Sequence, residues 1–169
     1  MISSEYCLFR PLAQQECGQV IALIQSRISW MDSAGISQWN HSHYLETYPL
    51  SYFEQRAQAH QLYGLFTREN SLAAAAVLLE ADPRWNGQSA LPAYYIHNFV
   101  SGAAFCGAGA ALIEHLIALA RAEGKSCLRL DCAVNNEKLN QYYIRFGFRY
   151  VGPMEDGEYL GNLRQYDLK

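Results

Sequence analysis

The stretch LRLDCAVNNEKLNQYYIRFGFRYVG, residues 128–152, contains a change from strand-like to helical character. The apolar start is typical of a strand, and the polar residues that follow predict a helix that stops before Gly147. A helix turns by about 100° per residue, so Asn136, Asn140 and Tyr143 lie along one stripe. Two amides and a phenol could hold a polar cofactor and supply a proton. The same spacing equally suits a capped helix with its tyrosines in the core.

A second strand and helix precede this stretch. Residues 94–100 are rich in aromatic and β-branched side chains, and a run of small residues separates them from a helical pattern that ends at Gly124. Gly107-Ala108-Gly109 lies at the predicted start of that helix, where unpaired N–H groups can receive a pyrophosphate. Small residues at this position also suit plain helix packing, so the glycines alone do not decide the function.

These motifs resemble those of the GNAT superfamily of acyl-CoA-dependent N-acyltransferases. The superfamily pattern N-x-x-A/L-x-x-x-Y-x-x-x-G-F is matched by Asn136, Leu139, Tyr143, Gly147 and Phe148. Gly107 and Gly109 fit the end of its Q/R-x-x-G-x-G/A loop. Residues 30–39 are similar to the W-M-x-x-x-G-I-x-Q-W of a bacterial subgroup, which also shares the wording RLDC, NEKLN, YY and GF.

One position departs from the family pattern. Ala104 stands where the loop usually has Gln or Arg, and no Lys or Arg occurs between Arg84 and Arg121. A pyrophosphate would therefore depend on backbone donors unless Lys138 or Arg145 reaches it. The departure keeps open a second class of function, a weakly active or non-catalytic acyl-CoA-binding sensor or interaction module.

The resemblance implies an α/β (α+β) fold in a single domain, residues 1–169. The expected sheet has six to seven strands, is mixed but largely antiparallel, carries helices on both faces, and splays between strands 4 and 5. The implied reaction moves an acetyl group from acetyl-CoA to a primary amine of a small molecule, less readily of a peptide, by direct attack in a ternary complex. The implied coenzyme A contacts are Phe99, Val100, Ser101, Cys106, Gly107, Ala108, Gly109, Ala110, Asn136, Asn140 and Tyr143.

The resemblance also implies catalytic roles. Tyr143 would protonate the departing thiolate, and His97 or Glu80 would take the proton of the amine. Histidine is the more suitable base near neutral pH, although His97 also fits a hydrogen-bonded core residue and Glu80 a solvated strand end. The acceptor pocket is expected to use Trp30, Asp32, Trp39 and Tyr44, an aromatic cup with one carboxylate that suits a cationic amine. The tryptophans could instead anchor a long loop.

Composition excludes several other classes. The formal net charge is -3 and no run of Lys or Arg is present, so we expect no nucleic-acid partner. The N-terminus lacks a signal peptide, and the most apolar stretch, residues 103–120, contains Glu114 and His115, which predicts a cytoplasmic protein with no membrane span.

Five cysteines without a C-x-x-C pair indicate neither disulfides nor zinc, and His41-Ser42-His43 lacks a third ligand. A dinucleotide-binding fold is disfavoured, because the glycine loop follows several strands. A homodimer stays open.

The remaining elements follow from local patterns. Residues 30–49 are predicted to be irregular. The predicted strands are 5–10, 62–67, 72–80, 94–100, one from 128, 148–151 and one within 159–168, and the predicted helices are 12–28, 50–60, one ending at 124 and one from 136.

Overall fold

The computed structural model describes residues 6–169. Over these residues it has seven strands and five α-helices. The strands are β1 (Tyr6–Pro11), β2 (Leu62–Thr67), β3 (Leu72–Leu79), β4 (Ala93–Ser101), β5 (Cys127–Ala133), β6 (Arg149–Asp156) and β7 (Tyr159–Asp167). The helices are α1 (Cys17–Ala34), α2 (Tyr44–Thr47), α3 (Leu50–Gln58), α4 (Ala108–Ala122) and α5 (Glu137–Arg145), and 3-10 turns cover Gln14–Glu16 and Pro83–Trp85.

The strands form one sheet in the order β1-β2-β3-β4-β5-β7-β6. Strands β1 and β2, β2 and β3, β5 and β7, and β6 and β7 pair antiparallel, whereas β4 and β5 pair parallel. The predicted mixed, largely antiparallel α/β fold is therefore confirmed.

The parallel pair is short. Its register runs from Ala93 opposite Cys127 to Tyr95 opposite Arg129, and the described residues beyond these have no further partners between the two strands. Asn98 has a positive φ of 49°, which interrupts the extended backbone of β4. The predicted splay between the fourth and fifth strands is confirmed.

Two compact units can be distinguished along the chain: the residues up to Leu78 together with Asn98–His115, and Leu79–His97 together with Leu116–Lys169. In the first unit, α1 packs on α3 and α3 on β2, around side chains such as Ile24, Phe53 and Phe66 that are fully buried. In the second, Trp85, Tyr95, Met154 and Leu163 belong to a separate buried cluster. The single domain stays a prediction.

The structure corrects several predicted boundaries. The first helix was predicted to end at residue 28, but α1 continues to Ala34, where Gly35 adopts φ 67° and ends it. Its buried face includes Val20, Ile24 and Met31. Packing of this face stabilises the helix over residues 30–34, which were predicted to be irregular. Strand β1 continues to Pro11, and α1 begins at Cys17 instead of at residue 12. Strand β6 is longer than predicted and accommodates Pro153 because it is an edge strand.

Three further predictions concern single elements. Residues 62–67 were predicted as a strand and form β2. Gly124, predicted to end the helix after the glycine loop, has φ 70° and follows α4 closely. Glu5, predicted to open the first strand, lies outside the described residues. Among the described residues, no helix combines the length and the apolar character that crossing a membrane requires.

Candidate active site

In the first unit, the start of α4 offers free backbone donors. Gly107 precedes the helix with φ 79°. The Ala108 amide donates to the Phe105 carbonyl at 3.2 Å, and the Ala111 amide donates to the Gly107 carbonyl at 3.0 Å. The amides of Gly109 and Ala110 have no backbone acceptor among the described residues. A Cβ at Gly107 would meet no atom within 4 Å, so an approaching phosphate has access to this turn.

The loop before the helix leaves that turn open. The Phe105 ring packs on Gly102, where an added Cβ would lie 2.6 Å from the ring. Ala104 is exposed, so its small side chain adds no polar group. The Cys106 carbonyl accepts a hydrogen bond from the Tyr6 hydroxyl at 2.5 Å, and its thiol is exposed.

The end of β4 is held by α1. Arg27 donates hydrogen bonds to the carbonyl and the side-chain oxygen of Ser101, and burial lowers the pKa of Arg27. The guanidinium carbon also lies 5.1 Å from the centre of the Trp30 ring. Val100 is buried, whereas Phe99 is partly exposed. This backbone is the part of β4 that was predicted to contact the cofactor.

Asn98 connects β4 to the aromatic segment before α3. Its side-chain oxygen accepts from the Tyr52 hydroxyl at 2.9 Å, and its amide nitrogen donates to the Tyr44 hydroxyl at 2.7 Å. Tyr44 stacks on Trp39 with ring centres 4.4 Å apart and planes 17° from parallel. A stack this close has no room for a cation between the two rings, and the Tyr48 ring also contacts Tyr44, with ring centres 4.9 Å apart.

The four predicted acceptor residues are therefore only partly grouped. Trp39 and Tyr44 contact each other. Asp32 is exposed and accepts a hydrogen bond from Asn40 at 2.7 Å, while Trp30 contacts Arg27. Tyr52 and Asn98 were not predicted. Their pairing across 46 residues has no local signal, although an Asn in a strand is itself unusual.

The second unit contains a histidine and aspartate pair. The Nε2 atom of His97 lies 2.9 Å from Oδ2 of Asp82, and the two side chains are 16% and 6% exposed. Asp82 also accepts the backbone N–H of Arg84 at 3.0 Å. Burial by itself would raise the pKa of Asp82, but the hydrogen bond from His97, the Arg84 backbone amide and nearby positive charges outweigh it, so the pKa is lowered. The carboxylate is ionised and fixes the ring.

Asp82 was missed in the sequence. The Asp-Pro dipeptide before the 3-10 turn Pro83–Trp85 marks a turn and an N-cap. Nothing local shows that this carboxylate meets a histidine 15 residues later.

A second charged group involves the same turn. Arg84 lies 3.3 Å from Asp131 and 2.9 Å from Asp156. Tyr159 donates its hydroxyl hydrogen to Asp131 at 2.8 Å, and burial together with the Asp131 charge raises the pKa of Tyr159. The turn is thereby fixed from two sides, which restrains Asp82.

Glu80, the other predicted base, lies at the surface. Its side chain is 69% exposed and accepts from Nζ of Lys125 at 2.5 Å. Because the Glu80 carboxylate is already paired with Lys125, His97 is the better placed of the two candidate bases.

Tyr143 is buried in α5 and packs edge-on against Phe148, with ring centres 5.7 Å apart. Its hydroxyl forms no hydrogen bond with a described residue and is not among the fully enclosed polar atoms. Burial, with smaller contributions from neighbouring groups such as Cys132, raises the pKa of Tyr143. The phenol therefore stays protonated at neutral pH and has a free donor.

Asn136 and Asn140 serve the local structure. The Asn136 side chain caps α5 by accepting the Leu139 amide at 3.0 Å. Asn140 donates to the carbonyls of Ala133 and Asn136 at 2.9 and 2.8 Å, which ties α5 to the end of β5. The predicted stripe of Asn136, Asn140 and Tyr143 thus exists, and two of its members are buried. A cofactor role for the amides stays a prediction.

Comparisons with known proteins identify the family of the chain. Residues 14–148 match the model of the acetyltransferase (GNAT) family. The chain is 22% identical over 157 residues to the uncharacterized N-acetyltransferase YesJ of Bacillus subtilis, covering 89% of this chain and 86% of YesJ.

Solved structures show the same fold. A GNAT family acetyltransferase from Listeria monocytogenes is 26% identical with a TM-score of 0.76, covering 95% of this chain and 94% of that one. The PaiA N-acetyltransferase of Thermoplasma acidophilum, solved in complex with coenzyme A, is 16% identical with a TM-score of 0.72, covering 95% and 98%. The resemblance inferred from the motifs is confirmed, since the family model spans most of the chain: the protein belongs to the GNAT family of acetyltransferases, enzymes that take their acetyl group from acetyl-CoA.

Proposed function

We propose that the protein transfers an acetyl group from acetyl-CoA to a primary amine of a small molecule, less readily of a peptide, by direct attack in a ternary complex. The observation that carries the proposal is His97, held by the buried carboxylate of Asp82 on the strand that splays from β5. Cytoplasmic location and a homodimer stay predictions.

His97 is proposed as the base. Because Asp82 is ionised and accepts from Nε2, the ring proton belongs on Nε2 and the lone pair on Nδ1. Nδ1 forms no hydrogen bond with a described residue, so it can take a proton from an ammonium group directly or through water. The imidazolium that results is stabilised by the Asp82 charge.

Tyr143 is proposed as the donor to the leaving sulfur. Its raised pKa makes full proton transfer less favourable than from an ordinary phenol, but it ensures that the hydroxyl carries a hydrogen to donate. The thioester supplies a leaving group that needs little assistance. We therefore expect the tyrosine to contribute about one to two powers of ten in rate.

The backbone donors at α4 are proposed to receive the pyrophosphate. The amides of Gly109 and Ala110, with the positive end of the helix dipole, are suited to an anion without any side-chain charge. The residues present thus fit coenzyme A even though Ala104 replaces the usual Gln or Arg. The predicted contacts of Phe99, Val100 and Ser101 would come from the β4 backbone.

The test is a steady-state assay with acetyl-CoA and a panel of primary amines, following thiol release at several concentrations of both substrates. A ternary complex gives intersecting double-reciprocal lines, and an acetylated Cys106 would give parallel lines. Tyr143→Phe should lower kcat by about tenfold to a hundredfold with little change in the KM for acetyl-CoA. Tyr142→Phe, which alters the neighbouring phenol, should keep wild-type turnover.

Three results would contradict the proposal. Full turnover by Tyr143→Phe removes that side chain from the reaction, and parallel lines that disappear in Cys106→Ser replace direct attack with an acyl-enzyme. Acetyl-CoA binding in calorimetry without turnover of any amine favours the sensor or interaction module that Ala104 left open.

A further inference from the structure

A cluster of hydrogen-bond donors lies between α5 and β7 in the second unit. The side-chain oxygen of Asn140 is approached by four donor atoms: Sγ of Cys132 at 3.2 Å, Nδ2 of Asn162 at 2.9 Å, and Nε and Nη2 of Arg164 at 3.1 and 2.8 Å. An amide oxygen has two lone pairs. The Asn140 oxygen therefore cannot accept a full hydrogen bond from all four donor atoms.

The cluster also contains a buried charge without a counter-charge. Arg164 is 5% exposed, and no carboxylate of the described residues lies within ion-pair distance of its guanidinium. Its third contact, from Nη1 to the Phe148 carbonyl, is long at 3.5 Å. A guanidinium has five N–H donors, so two remain without a partner among the described residues. A buried cation in this state is costly unless an anion compensates it.

A pocket of about 470 Å³ opens at the same place. Asn162 and Arg164 line it, together with the exposed guanidinium of Arg149. The other walls are largely apolar and come from Ile144, Gly147, Phe148 and Tyr150. None of the lining residues has a role in the acetyl transfer proposed above.

We propose that this pocket binds a carboxylate attached to an apolar body. A planar carboxylate matches the two free donors of the Arg164 fork and can accept from Asn162 as well, so it would relieve the crowding at Asn140. The apolar walls would cover the rest of the ligand. The site is independent of the acceptor amine.

The experiment titrates the full-length protein, saturated with coenzyme A, with benzoate and with benzamide, its uncharged counterpart. Binding is followed by calorimetry and by chemical-shift changes of backbone amides around Gly147 and Asn162. We expect benzoate to bind at least about tenfold more tightly than benzamide, because only the anion compensates the buried guanidinium. Saturation with coenzyme A separates this site from phosphate binding at α4.

Two variants locate the site. Arg164→Gln should weaken benzoate binding by about tenfold or more. Tyr150→Glu introduces a carboxylate at an exposed position of the pocket wall, so it should weaken benzoate binding even if Arg164→Gln does not fold. Arg68→Gln is the control, since that exposed guanidinium does not line the pocket and its loss should change benzoate affinity less than about threefold.

Three results would each overturn the proposal: equal affinity of the wild type for benzoate and benzamide, no benzoate binding by the wild type at about 10 mM, or unchanged benzoate binding by Tyr150→Glu. An affinity weaker than about 10 mM is far below that expected for one good ion pair. The amine acetylation assay would be unaffected by these outcomes, so the two proposals fail separately.

Discussion

At the scale of single residues, the pair of His97 and Asp82 shows what a residue pattern can and cannot reveal. The imidazole was predicted from its place in a strand next to the glycine loop, since residue type and local context are enough to nominate a base. Its partner became visible only when the turn before β4 brought Asp82 to 2.9 Å. Tyr143 is buried, as the core interpretation of its spacing predicted, and its hydroxyl forms no hydrogen bond with a described residue. Its role as a proton donor stays a prediction.

Asp82→Asn should lower kcat/KM by about tenfold to a hundredfold, because an amide can no longer stabilise the imidazolium or fix the ring. Steady-state rates measured over a range of concentrations of one fixed amine test this effect.

Asp156→Asn provides the control, because that carboxylate is 58% exposed and pairs with Arg84 rather than with the histidine. Its kcat/KM should stay within about twofold of the wild-type value. Equal losses of kcat/KM in Asp82→Asn and Asp156→Asn would contradict a role of the Asp82 carboxylate on His97.

At the scale of elements, strands bounded by turn residues were predicted well and packed segments were not. The hairpin of β2 and β3 has turn residues at positions 68–71, and the observed ends of both strands agree with the predicted ends within one residue. The end of α1 and the kink in β4 depend on contacts from distant residues: burial of Met31 extends the helix, and Tyr44 and Tyr52 hold Asn98. Tertiary packing overrides local propensity at both places.

Gly102→Ala should destabilise the connection between β4 and α4. The added Cβ would lie 2.6 Å from the Phe105 ring and 3.0 Å from Leu23, so both side chains must move. We expect a loss of about 1–3 kcal/mol in the free energy of unfolding, measured by urea denaturation. The affinity for coenzyme A should fall as well, because the ring precedes the α4 amides.

Gly18→Ala is the matched control for this change. It adds the same methyl group inside α1, where no atom lies within 4 Å, and alanine favours a helix over glycine. The free energy of unfolding should rise by about 0.5–1 kcal/mol. Equal effects of the two substitutions would show that the contact with Phe105 carries no energetic weight.

At the scale of the whole molecule, the charge distribution predicts sensitivity to acid. The hydrogen bond from Arg10 lowers the pKa of Glu16, and that from Arg149 lowers the pKa of Asp167. For Asp82, the His97 hydrogen bond and nearby charges outweigh the opposing effect of burial. Each group has a lower pKa in the folded than in the unfolded chain, so its contribution is present above about pH 4 and is lost as pH falls through the folded-state pKa.

The free energy of unfolding should therefore vary little from pH 7 to 5 on account of these groups and decline below about pH 4. Urea denaturation at pH 3, 4, 5 and 7 measures the decline, which should be smaller for Glu16→Gln because one of the titrating carboxylates is gone. Glu158→Gln, which changes an exposed residue, should keep the wild-type decline. A Glu16→Gln protein that is as acid-sensitive as the wild type would contradict the assignment.

The two tyrosine hydroxyls on Asn98 couple the aromatic segment before α3 to the backbone of β4. Asn98 stays in a left-handed conformation that asparagine tolerates but does not prefer, so the two hydrogen bonds supply part of the restraint. Any displacement of the Tyr44 hydroxyl would relax that restraint. The position of the Tyr44 ring and the backbone path of the neighbouring strand are thus thermodynamically linked, and each must respond to a change in the other.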